Sequence, residues 1–225
     1  MTTKRKYRTL LASIVLMALA APSQAAPVFW TDWTGVSTVA SQVLGTLTVG
    51  ASTVDVTYSG PISFAQTSGG TNYWNPAAPY LSATVDNAPP ASDIIALNAG
   101  GTKTITFSQS VVDPLIALVS WNGNTVDFGA PIDIISTGSG YWGNGTATLN
   151  AAATGFFGNG EVHGVIRLPG TYTSITFTDT SENWHGLTVG VVGLDEPVNS
   201  VPEPAYLALL GVGLTGFSVM RRRKA

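Results

Sequence analysis

Hydrophobic and polar residues alternate along much of the middle of this chain. The clearest case is the run 171–178, in which Ile175 and Phe177 point to one side of an extended backbone and the residues between them point to the other. Similar runs, rich in Val, Ile, Thr and Phe, occur at 44–49, 53–58, 102–107, 115–121, 125–128, 132–136, 146–149, 162–168 and 187–192. Each of these runs predicts a β-strand.

Turn-forming sequences such as Asn122-Gly123 and Pro169-Gly170 separate the predicted strands, and Trp30 and Trp33 are interpreted as core residues of a first strand. No stretch between these turns has helical periodicity. Many short strands at this spacing predict an all-β domain over 26–194. We favour a jelly-roll-like two-sheet sandwich, because roughly ten strands over this length fit it well. The long Gly- and Pro-rich segment 66–90 predicts a functional or mobile loop.

The N-terminus has a different pattern, which predicts a secretory signal peptide at 1–25. Its positive residues are followed by an uncharged apolar run at 10–21 and then by small residues before a cleavage site. The apolar run is shorter than the ~20 residues that a membrane span needs. We place signal-peptidase cleavage after Ala25, because a cut after Ala26 would put Pro27 directly behind the bond.

The C-terminus contains a second apolar run, at 205–220, which predicts a single membrane-spanning helix after a linker at 195–200. As a helix this run is about 24 Å long, against a bilayer core of about 30 Å. Four positive residues follow it, and positive charge next to a span stays cytoplasmic: Arg221, Arg222, Arg223 and Lys224. The body would therefore lie outside the inner membrane, which holds the tail transiently.

The residues before this apolar run are Val201, Pro202, Glu203 and Pro204. The prolines favour extended backbone, which a protease-like cleft can hold. This motif, the short apolar helix and the basic tail together resemble the PEP-CTERM sorting signal of Gram-negative bacteria, over residues 201–225. The resemblance implies export and processing by an exosortase, followed by release to the cell surface or the extracellular space.

The body also resembles uncharacterised ectodomains that accompany this tail, through residues 64–74 and 182–190. That resemblance implies a β-sandwich and export, and it brings no ligand. Between 26 and 200 the chain has two basic residues, Lys103 and Arg167, against twelve acidic ones, a net charge of about −10. This charge argues against nucleic acid as a partner. The chain has no cysteine, so neither disulfides nor thiolate chemistry are available.

No catalytic or nucleotide-binding motif is present, and we expect a non-enzymatic protein with no cofactor. One alternative is a metal site built from Glu161, His163, Glu182 and His185, if their two segments are neighbours. A structural Ca²⁺ ion is another alternative, although no EF-hand spacing occurs. The alternative to both is that the histidines pack in the body and that the acidic residues cap turns. We expect no metal.

Aromatic residues in glycine-rich surroundings suggest a carbohydrate site. Tyr73 and Trp74 lie in the long loop, and Tyr141 and Trp142 lie between glycines. Their rings could stack on sugars, or they could instead close the ends of the core. If they stack on sugars, nearby amides could supply hydrogen bonds, namely those of Asn72, Asn75 and Asn144. Three functions therefore compete: an exported, exosortase-sorted surface or matrix protein associated with exopolysaccharide or biofilm, a carbohydrate-binding module, and an exopolysaccharide hydrolase.

Overall fold

The computed structural model describes residues 27–37 and 41–195. This part of the chain forms sixteen β-strands and one 3₁₀-helix, Ala78–Tyr80. The strands are β1 Phe29–Trp30, β2 Asp32–Ser37, β3 Gln42–Val49, β4 Ser52–Ser59, β5 Phe64–Gln66, β6 Ile94–Leu97, β7 Gly101–Val112, β8 Leu115–Trp121, β9 Thr125–Asp127, β10 Asp133–Thr137, β11 Gly145–Leu149, β12 Gly155–Gly160, β13 Val162–Arg167, β14 Thr171–Asp179, β15 His185–Val191 and β16 Gly193–Leu194. None of the described residues belongs to a helix long and apolar enough to span a membrane.

The strands form two sheets, and every strand pair is antiparallel. The seven-stranded sheet has the order β10-β13-β8-β15-β6-β5, with β1 beside β15. The nine-stranded sheet has the order β11-β12-β9-β14-β7-β4-β3-β2, with β16 beside β7. The prediction of an all-β body made of two antiparallel sheets is confirmed.

The strand pairs are nested in the sequence. β6 pairs with β15, β7 with β14, β8 with β13 and β9 with β12, and successive pairs alternate between the two sheets. A long antiparallel ribbon that wraps in this way gives the strand order of a jelly roll. One strand of each nested pair therefore ends where its partner begins, which brings loops that are distant in the sequence to the same end of the sandwich.

A hydrophobic core fills the space between the sheets. Alternate residues of β14 are buried, and Ile175 and Phe177 point inward as the sequence pattern predicts. They pack with Ile116 and Leu118 of β8 from the opposite sheet. A strand lies at every run that the pattern predicts as a strand, although several of these strands begin or end at other residues than predicted.

A second core lies on the outer face of the seven-stranded sheet. Every residue of β8 and β15 is buried, so these strands have apolar neighbours on both faces. Residues 67–93, here called the covering segment, lie over this face. Trp74, Tyr80 and Val85 of the segment pack in one cluster with Leu115 and Val119. Most of the segment 66–90, predicted as a functional or mobile loop, is therefore packed against the seven-stranded sheet.

Side-chain hydrogen bonds tie the covering segment to the first strands. The Asn87 side chain accepts from the Val28 amide at 2.7 Å and donates to the Val28 carbonyl at 2.9 Å. The Trp33 amide donates to Asp93 Oδ1 at 3.0 Å. The pKa of Asp93 is raised by burial, in spite of this hydrogen bond. These contacts connect parts of the chain that are about sixty residues apart.

Candidate functional site

A cleft of about 630 Å³ opens at the end of the sandwich where β8 ends and β13 and β15 begin. We call it the end cleft. Its lining residues are Ser120, Asn122, Trp142, Glu161, Ser181, Glu182, Asn183 and Trp184. These residues come from four separate stretches of loop and from one end of β8, and the nested strand pairing brings them together. The volume lies in the range of small-molecule sites.

Aromatic rings form one wall of the end cleft. Trp142 is 56% exposed and Tyr141 is 41% exposed. The rings of Trp142 and Trp184 have centroids 6.4 Å apart, and Tyr73 packs on Trp184 at 5.0 Å and on Tyr141 at 5.1 Å. Phe64 supports Trp184 from behind at 6.3 Å. Supporting rings hold the two tryptophans in place beside solvent.

The structure places Tyr73, Tyr141 and Trp142 in this one aromatic group. Trp74 requires a correction, because its ring is only 2% exposed and belongs to the second core. Its indole N–H donates to the Asp93 carbonyl at 3.2 Å. Tyr73 and Trp74 lie in a turn of the covering segment, where the Tyr73 ring packs on Trp184 and the Trp74 ring packs on Tyr80.

Two glycines form the turn that presents Trp142. Gly140 and Gly143 exchange two backbone hydrogen bonds, of 2.7 Å and 3.3 Å, and so close a tight loop around Tyr141 and Trp142. A Cβ on Gly140 would lie 2.2 Å from Cγ of His163. Only glycine therefore lets this loop lie directly on β13.

Two carboxylates form the floor of the end cleft, joined by Asn122. The Asn122 backbone N–H donates to Glu182 Oε2 at 2.8 Å, and its side-chain amide donates to Glu161 Oε1 at 2.8 Å. The Ser120 hydroxyl donates to the other oxygen of Glu161. Ser120 has φ +59°, a left-handed conformation that is uncommon for serine and is enriched at functional sites.

Glu182 is connected to the core through His185. Nδ1 of His185 lies 3.0 Å from Glu182 Oε1, and Nε2 lies 2.9 Å from Asp179 Oδ2. Burial lowers the pKa of His185, but its contacts with Asp179 and Glu182 more than offset burial and raise the pKa above its usual value. Burial raises the pKa of Glu182, while contacts with His185 and Asn122 oppose the change. The charged imidazolium is thus favoured between two carboxylates.

The four residues of the metal hypothesis do not converge. His163 lies under the Gly140 loop, with Nδ1 3.2 Å from the Tyr80 hydroxyl, whereas His185 contacts Asp179 and Glu182. β8 separates their strands, β13 and β15. Across residues 27–37 and 41–195, no three His, Asp or Glu side chains are placed to hold a metal ion.

Sequence reasoning missed Trp184, Asn122 and Asn183 as cleft residues, and it did not place the two glutamates together for sugar binding. The amides it considered were those of Asn72, Asn75 and Asn144. The Asn72 side chain is used within the covering segment, where it accepts from the Trp74 amide at 3.0 Å. The available signal was the segment 181–184, a polar stretch with a tryptophan directly before a fully buried strand.

Comparison with known proteins assigns the C-terminal end of the chain. Residues 200–224 match the PEP-CTERM protein-sorting motif. The chain thus carries the sorting signal of an exosortase substrate, which makes it an exported protein that is processed at a membrane. No curated protein and no solved structure matches the chain.

Several predicted features lie outside the described residues. They are the signal peptide with Ala25 and Ala26, most of the linker, the sorting motif Val201, Pro202, Glu203 and Pro204, the helix 205–220, and the basic residues Arg221, Arg222, Arg223 and Lys224. The sorting motif is supported by the family match alone.

Proposed function

We propose that the exported body is a non-enzymatic polysaccharide-binding protein of the cell surface or extracellular matrix, and that the end cleft is its binding site. The observation that carries this proposal is Trp142, a large ring more than half exposed and held over a polar cleft. A ring that is costly to expose and is held by a dedicated glycine turn is typical of a recognition surface.

The composition of the end cleft suits a sugar. Sugar rings have apolar C–H faces, which pack on Trp142 and Trp184, and hydroxyls, which need both donors and acceptors at their edges. The amides of Asn122 and Asn183 supply donors, and the carboxylates of Glu161 and Glu182 supply acceptors. A few polar groups that converge beside aromatic walls are the usual design of a small-molecule site.

The charge of the end cleft limits the class of sugar. Two carboxylates and no Lys or Arg line it. An acidic sugar would bring a third negative charge into this cleft, whereas a neutral or amino sugar would not. We therefore expect binding of neutral or amino-sugar polymers and exclusion of uronic-acid polymers.

Glycoside hydrolysis is the second candidate, because Glu161 and Glu182 are a carboxylate pair in one cleft. Their hydrogen bonds favour binding instead. Both oxygens of Glu161 accept from Ser120 or Asn122, and Glu182 Oε2 accepts from the Asn122 backbone N–H, whereas Glu182 Oε1 lies 3.0 Å from His185 Nδ1 without a hydrogen bond. A general acid needs a proton free to transfer to the leaving group, and here three of the four carboxylate oxygens already accept a hydrogen bond.

The test measures binding of the purified protein to insoluble neutral glucan, to a de-acetylated amino-sugar polymer and to a uronic-acid polymer. Trp142→Ala should weaken binding about tenfold or more, as loss of a central aromatic anchor does. Phe157→Ala is the matched control, since Phe157 is 46% exposed but lies on β12, outside the end cleft. Equal binding by wild type and Trp142→Ala would exclude the end cleft as the binding site.

A second assay measures hydrolysis of the same polymers. Release of reducing sugar by wild type that is lost in Glu161→Gln would favour the hydrolase.

We also propose the export route that the termini predict: signal-peptidase cleavage after Ala25, a transient inner-membrane intermediate held by 205–220, and exosortase processing near Pro204. Intact mass of the protein from its own cells, together with cell fractionation, tests this route. A C-terminus near Pro204 outside the inner membrane would support it. A tail ending at Ala225 in the inner membrane would contradict it.

A further inference from the structure

A lysine and an aspartate lie in contact inside the sandwich, behind the end cleft. Nζ of Lys103, on β7, contacts Oδ1 of Asp179, on the neighbouring strand β14, and both side chains are 0% exposed. In the strand register Asp179 is opposite Gly101, two residues before Lys103, so the side chains of Lys103 and Asp179 meet from adjacent strands. Lys103 is one of only two basic residues between 26 and 200.

Burial of an ordinary ion pair in this way is unfavourable in free energy. Two charges removed from water lose several kcal/mol of hydration each, and their attraction regains this only with good additional hydrogen bonds. Lys103 has such bonds, to the carbonyl oxygens of Ala99 at 2.8 Å and of Gly101 at 3.4 Å. These acceptors also hold Nζ in one position against the carboxyl group.

We propose that Lys103 and Asp179 condense to form an isopeptide bond that cross-links β7 and β14. The Nζ–Cγ bond forms and the Cγ–Oδ1 bond breaks. Oδ1 leaves as water with two protons from the ammonium group, and the third stays on the amide nitrogen. Two opposite buried charges become one neutral amide, so atoms and charge balance without an oxidant or another reactant.

His185 is placed to assist this step. Its Nε2 lies 2.9 Å from Oδ2 of Asp179, the oxygen that becomes the amide carbonyl. A hydrogen bond to that oxygen stabilises the negative charge that develops on it when Nζ attacks Cγ. Glu182 Oε1 lies 3.0 Å from Nδ1 and attracts the charged imidazolium from the other side of the ring. The amide nitrogen of Asn124 also lies near Nε2, at 3.5 Å.

After a small movement of Nζ toward Cγ, the hydrogen bonds of the product would keep the same partners. The remaining amide N–H points to the Ala99 carbonyl, and the amide oxygen accepts from His185. Condensation therefore removes the buried charges and leaves no polar atom of either residue without a partner. The cross-link would act where the chain has no cysteine to form a disulfide.

Peptide mapping of the full-length protein after denaturation and proteolysis tests the proposal. The expected result is one branched peptide in which the segments containing Lys103 and Asp179 are joined, lighter by one water molecule than the two segments together. Lys103→Arg keeps the positive charge but should give only separate segments. Recovery of separate segments, with an unmodified Lys103 amine, from the folded wild-type protein would overturn the proposal. This result is independent of sugar binding and does not require any variant to fold.

The role of His185 is tested by the rate of the reaction. In a time course from newly refolded protein, His185→Gln should form the branched peptide at least tenfold more slowly than wild type. Asp133→Ala is the matched control, because Asp133 is in a half-exposed ion pair with Arg167 and away from this cluster. An equal rate in wild type and His185→Gln would exclude assistance by His185.

Discussion

The outer faces of the two sheets differ in their exposure to solvent. On the nine-stranded sheet the outer face is open to solvent, and β14 alternates between buried and exposed residues. On the seven-stranded sheet the outer face is covered, and β8 is buried at every position. A sheet with apolar residues on both faces needs two partners. Here the first partner is the opposite sheet and the second is the covering segment, whose rim also supplies Tyr73 to the end cleft.

The largest expected effect is on the covered face. Trp74→Ala removes a ring that is 2% exposed and packs edge-on against Tyr80, with centroids 5.2 Å apart. The loss of transfer free energy and the resulting cavity should lower the free energy of unfolding by about 3–5 kcal/mol. Urea unfolding followed by fluorescence measures this. Trp142→Ala, at the rim, should change stability by less than about 0.5 kcal/mol, and an equal loss in both variants would contradict the second core.

A pair of glycine substitutions compares the two faces directly. A Cβ on Gly140 would overlap His163, whereas a Cβ on Gly35, at the edge of the nine-stranded sheet, would meet nothing within 4 Å. Gly140→Ala should cost about 3 kcal/mol through overpacking, and Gly35→Ala should be close to neutral. Gly140→Ala should also weaken sugar binding, since its loop carries Trp142. Thermal unfolding of both variants is the measurement.

Acid should weaken the covered face. Burial lowers the pKa of His163 to about 4, although Glu161 nearby opposes the shift. Unfolded histidine titrates near 6.5, so between pH 6.5 and 4 the unfolded chain binds the proton and the folded protein does not. Stability should therefore fall by about 3 kcal/mol over this range and then level off.

His163→Gln should lack this part of the pH dependence, which urea unfolding at several pH values would show. His185 provides the contrast, because its pKa is raised. In protein that has not yet formed the cross-link, the contribution of His185 to stability is present below pH 6.5 and is lost as pH rises through the pKa of the folded state. A slope from pH 6.5 to 4 that is the same with and without His163 would exclude this explanation.

The smallest expected effect is on the open face. The hydroxyl groups of Thr104 and Thr176 are 3.2 Å apart on neighbouring strands and face water. Thr176→Ala should change the free energy of unfolding by about 0.5 kcal/mol or less. A much larger loss, in the same urea assay, would mean that another surface covers this sheet in solution.

The sequence pattern was sufficient for the strands that alternate or are uniformly apolar, such as β14 and β8. It was insufficient for β12, because Gly155, Gly158 and Gly160 are typical of turns in a sequence. In the fold, a Cβ on Gly158 would lie 2.0 Å from the Trp121 carbonyl oxygen, so a close backbone approach requires glycine there.

The site was harder to predict than the fold for a related reason. Tyr73, Tyr141 and Trp142 were identified from their type and their glycine neighbours, which are local features. The contact of Glu161 and Glu182 with Asn122 depends on pairing among β8, β13 and β15, which no local pattern specifies. Neither Lys103 nor Asp179 was singled out, because a lone lysine in a strand gives no sign of burial.

The direction of β7 determines where the end cleft lies relative to the end of the described chain. β7 begins at Gly101, next to the end cleft, where the Gly100 amide donates to Ser181 at 2.8 Å. It ends at Val112, where β16 pairs with it and the chain continues toward the sorting motif. At about 3.4 Å per residue, these ends are ~35 Å apart. The end cleft therefore opens at the pole of the body opposite to the point where the described chain leaves the sheet after β16.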